Sequence, residues 1–292
     1  MVRRNLADSL ARLASKYPVI SITGPRQSGK TTLVREVFPQ HEYVTFENPD
    51  IRQRAMADPE GFFLPGNKNM ILDEVQHVPQ LLSYIQEITD RAKINGQFIL
   101  TGSQSLLLSE KISQSLAGRT AVLKLFPFDF AELESSGYEQ GKSYEDVITR
   151  GFFPRLYDQQ IHPLDFYPFY FETYVQRDVR QILNIHDLNL FTNFVRLCAG
   201  RIGQLLDYSS LARDTGISVN TAKGWISLLE ASYLIFLLHP YYQNFNKRII
   251  KSPKLYFTDT GLASWLLNIR DSVQLETHYL KGNLFENLVL LS

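Results

Sequence analysis

The stretch Val19-Ile20-Ser21-Ile22-Thr23-Gly24-Pro25-Arg26-Gln27-Ser28-Gly29-Lys30-Thr31-Thr32 decides how the rest of the chain is read. Gly24 to Thr31 fits G-x-x-x-x-G-K-[ST] without a mismatch. The apolar run before it reads as a buried strand, and Thr32-Leu33-Val34-Arg35-Glu36-Val37-Phe38 reads as the first turns of a helix. A phosphate loop requires that context, because backbone N–H groups must converge on the anion while the helix N-terminus adds its dipole. Gly24 and Gly29 let the chain curl close to the phosphate. Gly24, Pro25, Arg26, Gln27, Ser28, Gly29, Lys30, Thr31 and Thr32 are therefore expected to cradle ATP. Lys30 is placed on the β- and γ-phosphates and the Thr31 hydroxyl on Mg²⁺.

Downstream, Asn69-Met70-Ile71-Leu72-Asp73-Glu74 is an apolar strand ending in two carboxylates. Alone such a pair is commonplace. After a phosphate loop it is what phosphoryl chemistry needs: Asp73 in the Mg²⁺ shell opposite Thr31, and Glu74 as the general base on the attacking water. Tyr43 to Phe46 is a second strand, Gln97 to Thr101 another, and Ala121 to Leu125 the last of the series. Helical patterns separate them (Ile51 to Ala57, Gln80 to Ala92, Leu106 to Leu116), so the first half is α/β with a mainly parallel sheet. Loops at the carboxyl ends of such strands carry the site. Ser103 and Thr101, at the end of one strand, are expected to sense the γ-phosphate.

The 292 residues are 44% hydrophobic and 21% charged, ordinary for a globular chain, and the formal net charge is zero. No global field drives such a molecule onto nucleic acid or membrane. Residues 201–254 hold 7 Lys and Arg against 3 Asp and Glu, so any nucleic-acid surface is expected in the second half. Cys198 is the only cysteine, which excludes an internal disulfide and fits a reducing compartment. No apolar run is long enough to span a bilayer, and no membrane partner and a cytoplasmic location are expected.

The aromatic stretch from Phe166 to Tyr174 has helical spacing and no interleaved basic residues, the pattern of core packing rather than base stacking. Residues 187–203 form another helix. From Asp207 the pattern becomes helix, tight turn at Gly216, and helix capped by Ser218. Val219, Ala222, Trp225, Ile226 and Leu229 are expected to face inward, and Asn220, Thr221, Lys223 and Ser227 outward as on a recognition helix. Two strands, Tyr233 to His239 and Lys254 to Thr258, would form a wing carrying Lys247, Arg248, Lys251 and Lys254. The expected division is 1–162 for the ATPase domain, 163–204 for a helical linker, 205–270 for a winged helix-turn-helix domain and 271–292 for a helical remnant.

The chain resembles the prokaryotic AAA-like ATPases that join a P-loop domain to a winged-helix-containing C-terminal domain of uncharacterised function. Gly24 to Thr32, Leu72-Asp73-Glu74, Leu100 to Gln104, Leu116-Ala117-Gly118-Arg119, Tyr174 to Asp178 and Lys254 to Gly261 carry the resemblance. It implies strand order 5-1-4-3-2 of the ASCE type and an ATP-dependent switch or ATPase. Members commonly continue past Phe285-Glu286-Asn287 into a nuclease-like segment that this sequence lacks, so nuclease activity is not carried over. An arginine usually completes the charge at the γ-phosphate. Arg119 is the first candidate, from its own chain or from a neighbouring copy in a homo-oligomer, with Arg177 and Arg180 as rivals. The leading expectation is a Mg²⁺-dependent ATPase whose winged helix meets DNA or a protein partner. The alternative is a DNA-binding regulator whose nucleotide site does not hydrolyse. GTP is disfavoured because no Asn-Lys-x-Asp occurs.

Overall fold

The structure is a computed structural model; it describes residues 2–63, 68–103, 116–138, 142–179, 187–241 and 252–292, with the side chains of 176–179 left aside. The chain forms two compact units, one of residues 3–126 and one of residues 1–2 with 127–292. The boundary therefore falls at Phe126, not near 162. The described residues of 127–162 form short helices and no strand, and their apolar side chains join the core of the second unit. The expected sub-division at 204 and 270 has no counterpart either, because one hydrophobic core runs from Phe128 to Leu288.

In the first unit five strands form a parallel sheet: β1 (Val19–Thr23), β2 (Glu42–Thr45), β3 (Met70–Asp73), β4 (Phe98–Gly102) and β5 (Thr120–Lys124). Their order is β2-β3-β4-β1-β5, which read from the other edge is the 5-1-4-3-2 of the resemblance. β1, β3 and β4 are buried at every residue, which is why their sequences run apolar without alternation. Among the described residues of the unit, its α-helices are α1 (Leu6–Ala14), α2 (Lys30–Val37), α3 (Pro49–Ala57), α4 (Pro59–Phe63) and α5 (Leu81–Ala92). Directly after α3, Asp58 accepts from the Gly61 N–H at 2.8 Å in the first turn of α4. The helix expected at Leu106 to Leu116 lies outside the described residues apart from Leu116. Because the sheet is parallel and in register, Thr23, Thr45, Asp73 and Gly102 end along one edge.

The second unit is mainly helical. Helices α6 (Phe130–Ser135), α7 (Tyr144–Arg150), α8 (Pro154–Asp158) and α9 (Pro163–Tyr170) come first, and the last runs on as a π-helix through Phe171–Val179. Phe166, Tyr167, Tyr170, Phe171 and Tyr174 are buried, so the aromatic stretch is core; Phe169 alone faces solvent. Then come α10 (Leu188–Ala199), α11 (Tyr208–Thr215) and α12 (Val219–Ala231). Gly216 takes the left-handed conformation (φ 81°) between the last two, and Ser218 caps α12 by accepting from Thr221 N–H at 3.0 Å. Trp225 packs edge-on against Phe191 and Phe194, which docks α12 on α10. Val219, expected inside, is exposed, since the first turn of α12 projects beyond that contact. β6 (Ile235–Leu238) and β7 (Lys254–Phe257) pair antiparallel. The chain closes with α13 (Thr260–Leu266), α14 (Ser272–Thr277) and α15 (Lys281–Leu290).

Candidate nucleotide site

The loop between β1 and α2 is built for close approach. At Gly24 (φ 150°) a Cβ would lie 2.0 Å from the Leu125 carbonyl oxygen, so only glycine fits against the chain leaving β5. Gly29 enters α2 in the left-handed conformation (φ 90°), which turns the first helical N–H groups toward the loop's hollow. Arg4, buried and far upstream in sequence, braces the loop from outside. It donates to the Ser28 carbonyl at 2.7 Å and the Phe126 carbonyl at 2.6 Å.

Lys30 is nearly buried and folds back on its own loop, donating to the carbonyls of Gly24 (3.0 Å) and Pro25 (2.8 Å). Burial pushes its ammonium down to about 8, against the opposing pull of Glu74 and Asp73. A cation held at that cost is one that an anion would stabilise. Ser28 Oγ is buried in the same loop with no hydrogen-bond partner among the described residues, and its hydroxyl is free to donate to a phosphate oxygen. The loop residues thus fit a polyphosphate. Arg26 sits close enough to disfavour the Lys30 charge, and Thr32 is exposed.

At the head of α2 the Thr31 hydroxyl lies 3.1 Å from both oxygens of Asp73. Hydroxyl and carboxylate are therefore already together, a pair that would suit a Mg²⁺ carried by a nucleotide, which needs only one or two protein ligands. Among the described residues no cluster of three or more acidic, histidine or cysteine side chains could hold a metal by itself. Asp73 also accepts from Tyr43 on β2 at 2.7 Å and, in a short bond, from Thr101 on β4. Burial and the bond to Asp73 push the Tyr43 phenol up to about 12. Glu74 takes a left-handed conformation (φ 57°), and its N–H reaches Thr101 Oγ1 at 3.4 Å. Its Oε2 accepts from Ser103 at 3.1 Å and from Gln76 in a short bond.

The structure brings Lys30, Thr31, Asp73, Glu74 and Ser103 to one edge of the sheet. Arg119 is elsewhere. It precedes β5, its carbonyl accepts from Val19 N–H at 3.3 Å, and so it stands at the amino-terminal edge. The length of β1, about 16 Å for five residues, separates that edge from the loop. Its guanidinium grips both oxygens of Asp90 at 2.5 and 2.8 Å. Completion of the site by Arg119 of the same chain is excluded by that distance. The Arg177 side chain and all of Arg180 lie outside what is described. Thr101 is also no sensor, because it is wholly buried and its proton is committed to Asp73. Arg4, Tyr43 and Gln76 were missed by the sequence reading. Only Tyr43 left a trace there, as the first residue of the strand read over Tyr43 to Phe46.

Residues 16–134 match the AAA domain family, and residues 141–273 match a domain of unknown function. An uncharacterized protein of Mycobacterium tuberculosis is 32% identical over 99% of this chain, and one of Methanocaldococcus jannaschii is 26% identical over 92%. The chain spans 65% of the length of each. The Walker-type ATPase of Pyrococcus abyssi has the same fold, with a TM-score of 0.57 at 15% identity over 91% of this chain and 96% of that one. The first unit thus combines an α/β, five-stranded parallel sheet with a match to the AAA domain family, and the Pyrococcus abyssi ATPase shares its fold.

Proposed function

We propose that the chain is a Mg²⁺-dependent ATPase working as a nucleotide-driven switch, whose second unit passes the change to DNA or to a protein partner. The carrying observation is the convergence of Thr31 on both oxygens of Asp73, beside a glycine loop that buries the Lys30 ammonium. The AAA match over residues 16–134 supports nucleotide binding. Bound ATP with Mg²⁺ supplies the transferable phosphoryl group and neutralises charge on its oxygens. Lys30 exchanges the carbonyls of Gly24 and Pro25 for phosphate oxygens, and the loop N–H groups with the Ser28 hydroxyl donate alongside it. Thr31 and Asp73 hold the ion. Glu74 takes the proton of the attacking water, and Ser103 and Gln76, on one of its oxygens, orient the carboxylate. Phosphate release from ATP, followed with and without Mg²⁺, tests this reading. Mg²⁺-dependent release is expected; a protein that binds no adenine nucleotide and releases no phosphate overturns it.

The order α10, α11, α12, β6 and β7, with the Gly216 turn between the last two helices, supports a winged-helix reading of that part of the second unit. Asn220, Lys223 and Ser227 are exposed on α12, as a contact helix requires. Of the positive charges, Lys254 is engaged by Glu286 at 2.8 Å, and Lys223 lies over the Tyr208 ring at 5.8 Å. Lys247, Arg248 and Lys251 lie outside the described residues. Whether the partner is DNA or protein is read by the salt dependence set out in the Discussion.

A further inference from the structure

Asp73 accepts hydrogen bonds from hydroxyls on three elements: Thr31 at the head of α2, Thr101 on β4 and Tyr43 on β2. A threonine that ligates Mg²⁺ through a lone pair keeps its proton for the carboxylate, and beside Thr31, which spans both oxygens, two further donors hold one oxygen each, Thr101 on Oδ1 and Tyr43 on Oδ2. One donor per oxygen fixes the plane of a carboxylate. Thr101 is wholly buried and also meets the Glu74 N–H, so it belongs to the sheet's own framework. Tyr43 is different: it is half-buried and reaches in from the next strand. Thr45 pairs with Asp73 in the sheet, so Tyr43, two residues earlier, lies on the same face at a diagonal. That diagonal, about 7–8 Å between side-chain origins, is one that an aromatic residue can cross. The ring is held from the other side by the Arg35 guanidinium, 4.8 Å from its centroid and one turn beyond Thr31 on α2.

We propose that Tyr43 is a positioning residue for the metal site, its hydroxyl holding Oδ2 of Asp73 so that the carboxylate meets the Mg²⁺ of a bound nucleotide in one orientation. The inference rests on the nucleotide-site reading above. Outer-shell partners of metal ligands typically contribute about 10–100-fold in affinity for the ion. Arg35 and Tyr43 then form a strut from α2 to β3, joining the helix that carries Thr31 to the strand that carries Asp73.

The test is Tyr43→Phe, which keeps the ring over Arg35 and removes only the hydroxyl. A fluorescent ADP derivative is titrated onto parent and variant in EDTA, and then at fixed nucleotide with rising Mg²⁺. The expected result is an unchanged affinity in EDTA and a rise of about tenfold or more in the Mg²⁺ needed for half-effect. Coincident Mg²⁺ curves for parent and variant overturn the role of Tyr43 alone. Lost binding in EDTA also overturns it, since the residue then acts through the fold rather than the ion. A parent that binds no ADP under either condition overturns the nucleotide site itself.

Discussion

At the scale of single residues the site is governed by what burial does to charge. In the nucleotide-free protein, desolvation pushes the Lys30 ammonium down to about 8. A bound polyphosphate raises that value again, so binding takes up a proton above pH 8. Nucleotide affinity is then full below pH 8 and falls by up to about tenfold per pH unit above it. Calorimetric titration between pH 7 and 10 in two buffers checks this through the proton uptake. The same group has the opposite effect on the empty protein. Its folded value lies below the ordinary 10.5, so the unfolded chain holds more protons between pH 8 and 10.5, and stability from Lys30 rises across that window. A second expectation concerns Gly24: Gly24→Ala puts a methyl 2.0 Å from the Leu125 carbonyl and should abolish tight nucleotide binding in a filter-binding assay. The loop residues were legible in the sequence because a phosphate loop is local, with glycines, lysine and threonine within eight positions. Arg4 was not, because its partner Phe126 stands 122 residues away and nothing near Arg4 announces the contact.

At the scale of elements, strands and their order followed from apolar runs and from the resemblance, whereas the packing of the second unit did not. Its tightest knot joins pieces that the sequence keeps far apart. Asp259 is fully buried and caps α13 by accepting from Leu262 N–H at 2.7 Å. It also accepts from Tyr167 of α9 at 2.7 Å and from Phe152 N–H, just after α7, at 2.6 Å. Gly151 and Gly261 make room, because a Cβ on either would come within 2.2 Å of the Tyr167 hydroxyl. Both glycine stretches were visible as sequence, but the separation of 107 positions from Phe152 to Asp259 hid their meeting. Removing the carboxylate orphans three donors at about 1–3 kcal/mol each. Asp259→Ala should therefore cost at least about 3 kcal/mol in chemical denaturation, and Tyr167→Phe about 1–2 kcal/mol. Equal stability of Asp259→Ala and parent would contradict this account of the knot. The misplaced boundary near residue 162 has the same origin. Helices α6 to α8 follow the last strand in sequence, yet their apolar faces fit the second core, and no periodicity encodes which core a short helix joins.

At the scale of the whole molecule the question is what the nucleotide cycle drives. If the partner is DNA, Lys223, Lys247, Arg248 and Lys251 are the contacts left once Lys254 is spent on Glu286. About four phosphate contacts give a log–log salt slope near −3.6. Neutralising those four together should remove DNA binding; an affinity that survives the change assigns the surface to a protein partner. An arginine from a second copy is the remaining route for Arg119, since it stands at the wrong edge of its own sheet. The central claim, that the edge holding Lys30, Thr31, Asp73 and Glu74 hydrolyses ATP, is tested most directly by ATP binding and turnover in parent, Lys30→Ala and Glu74→Gln proteins side by side. The account predicts that Lys30→Ala loses tight binding, while Glu74→Gln binds ATP as the parent does and turns it over about 10²–10⁴-fold more slowly. Parent-like hydrolysis by Glu74→Gln would contradict it.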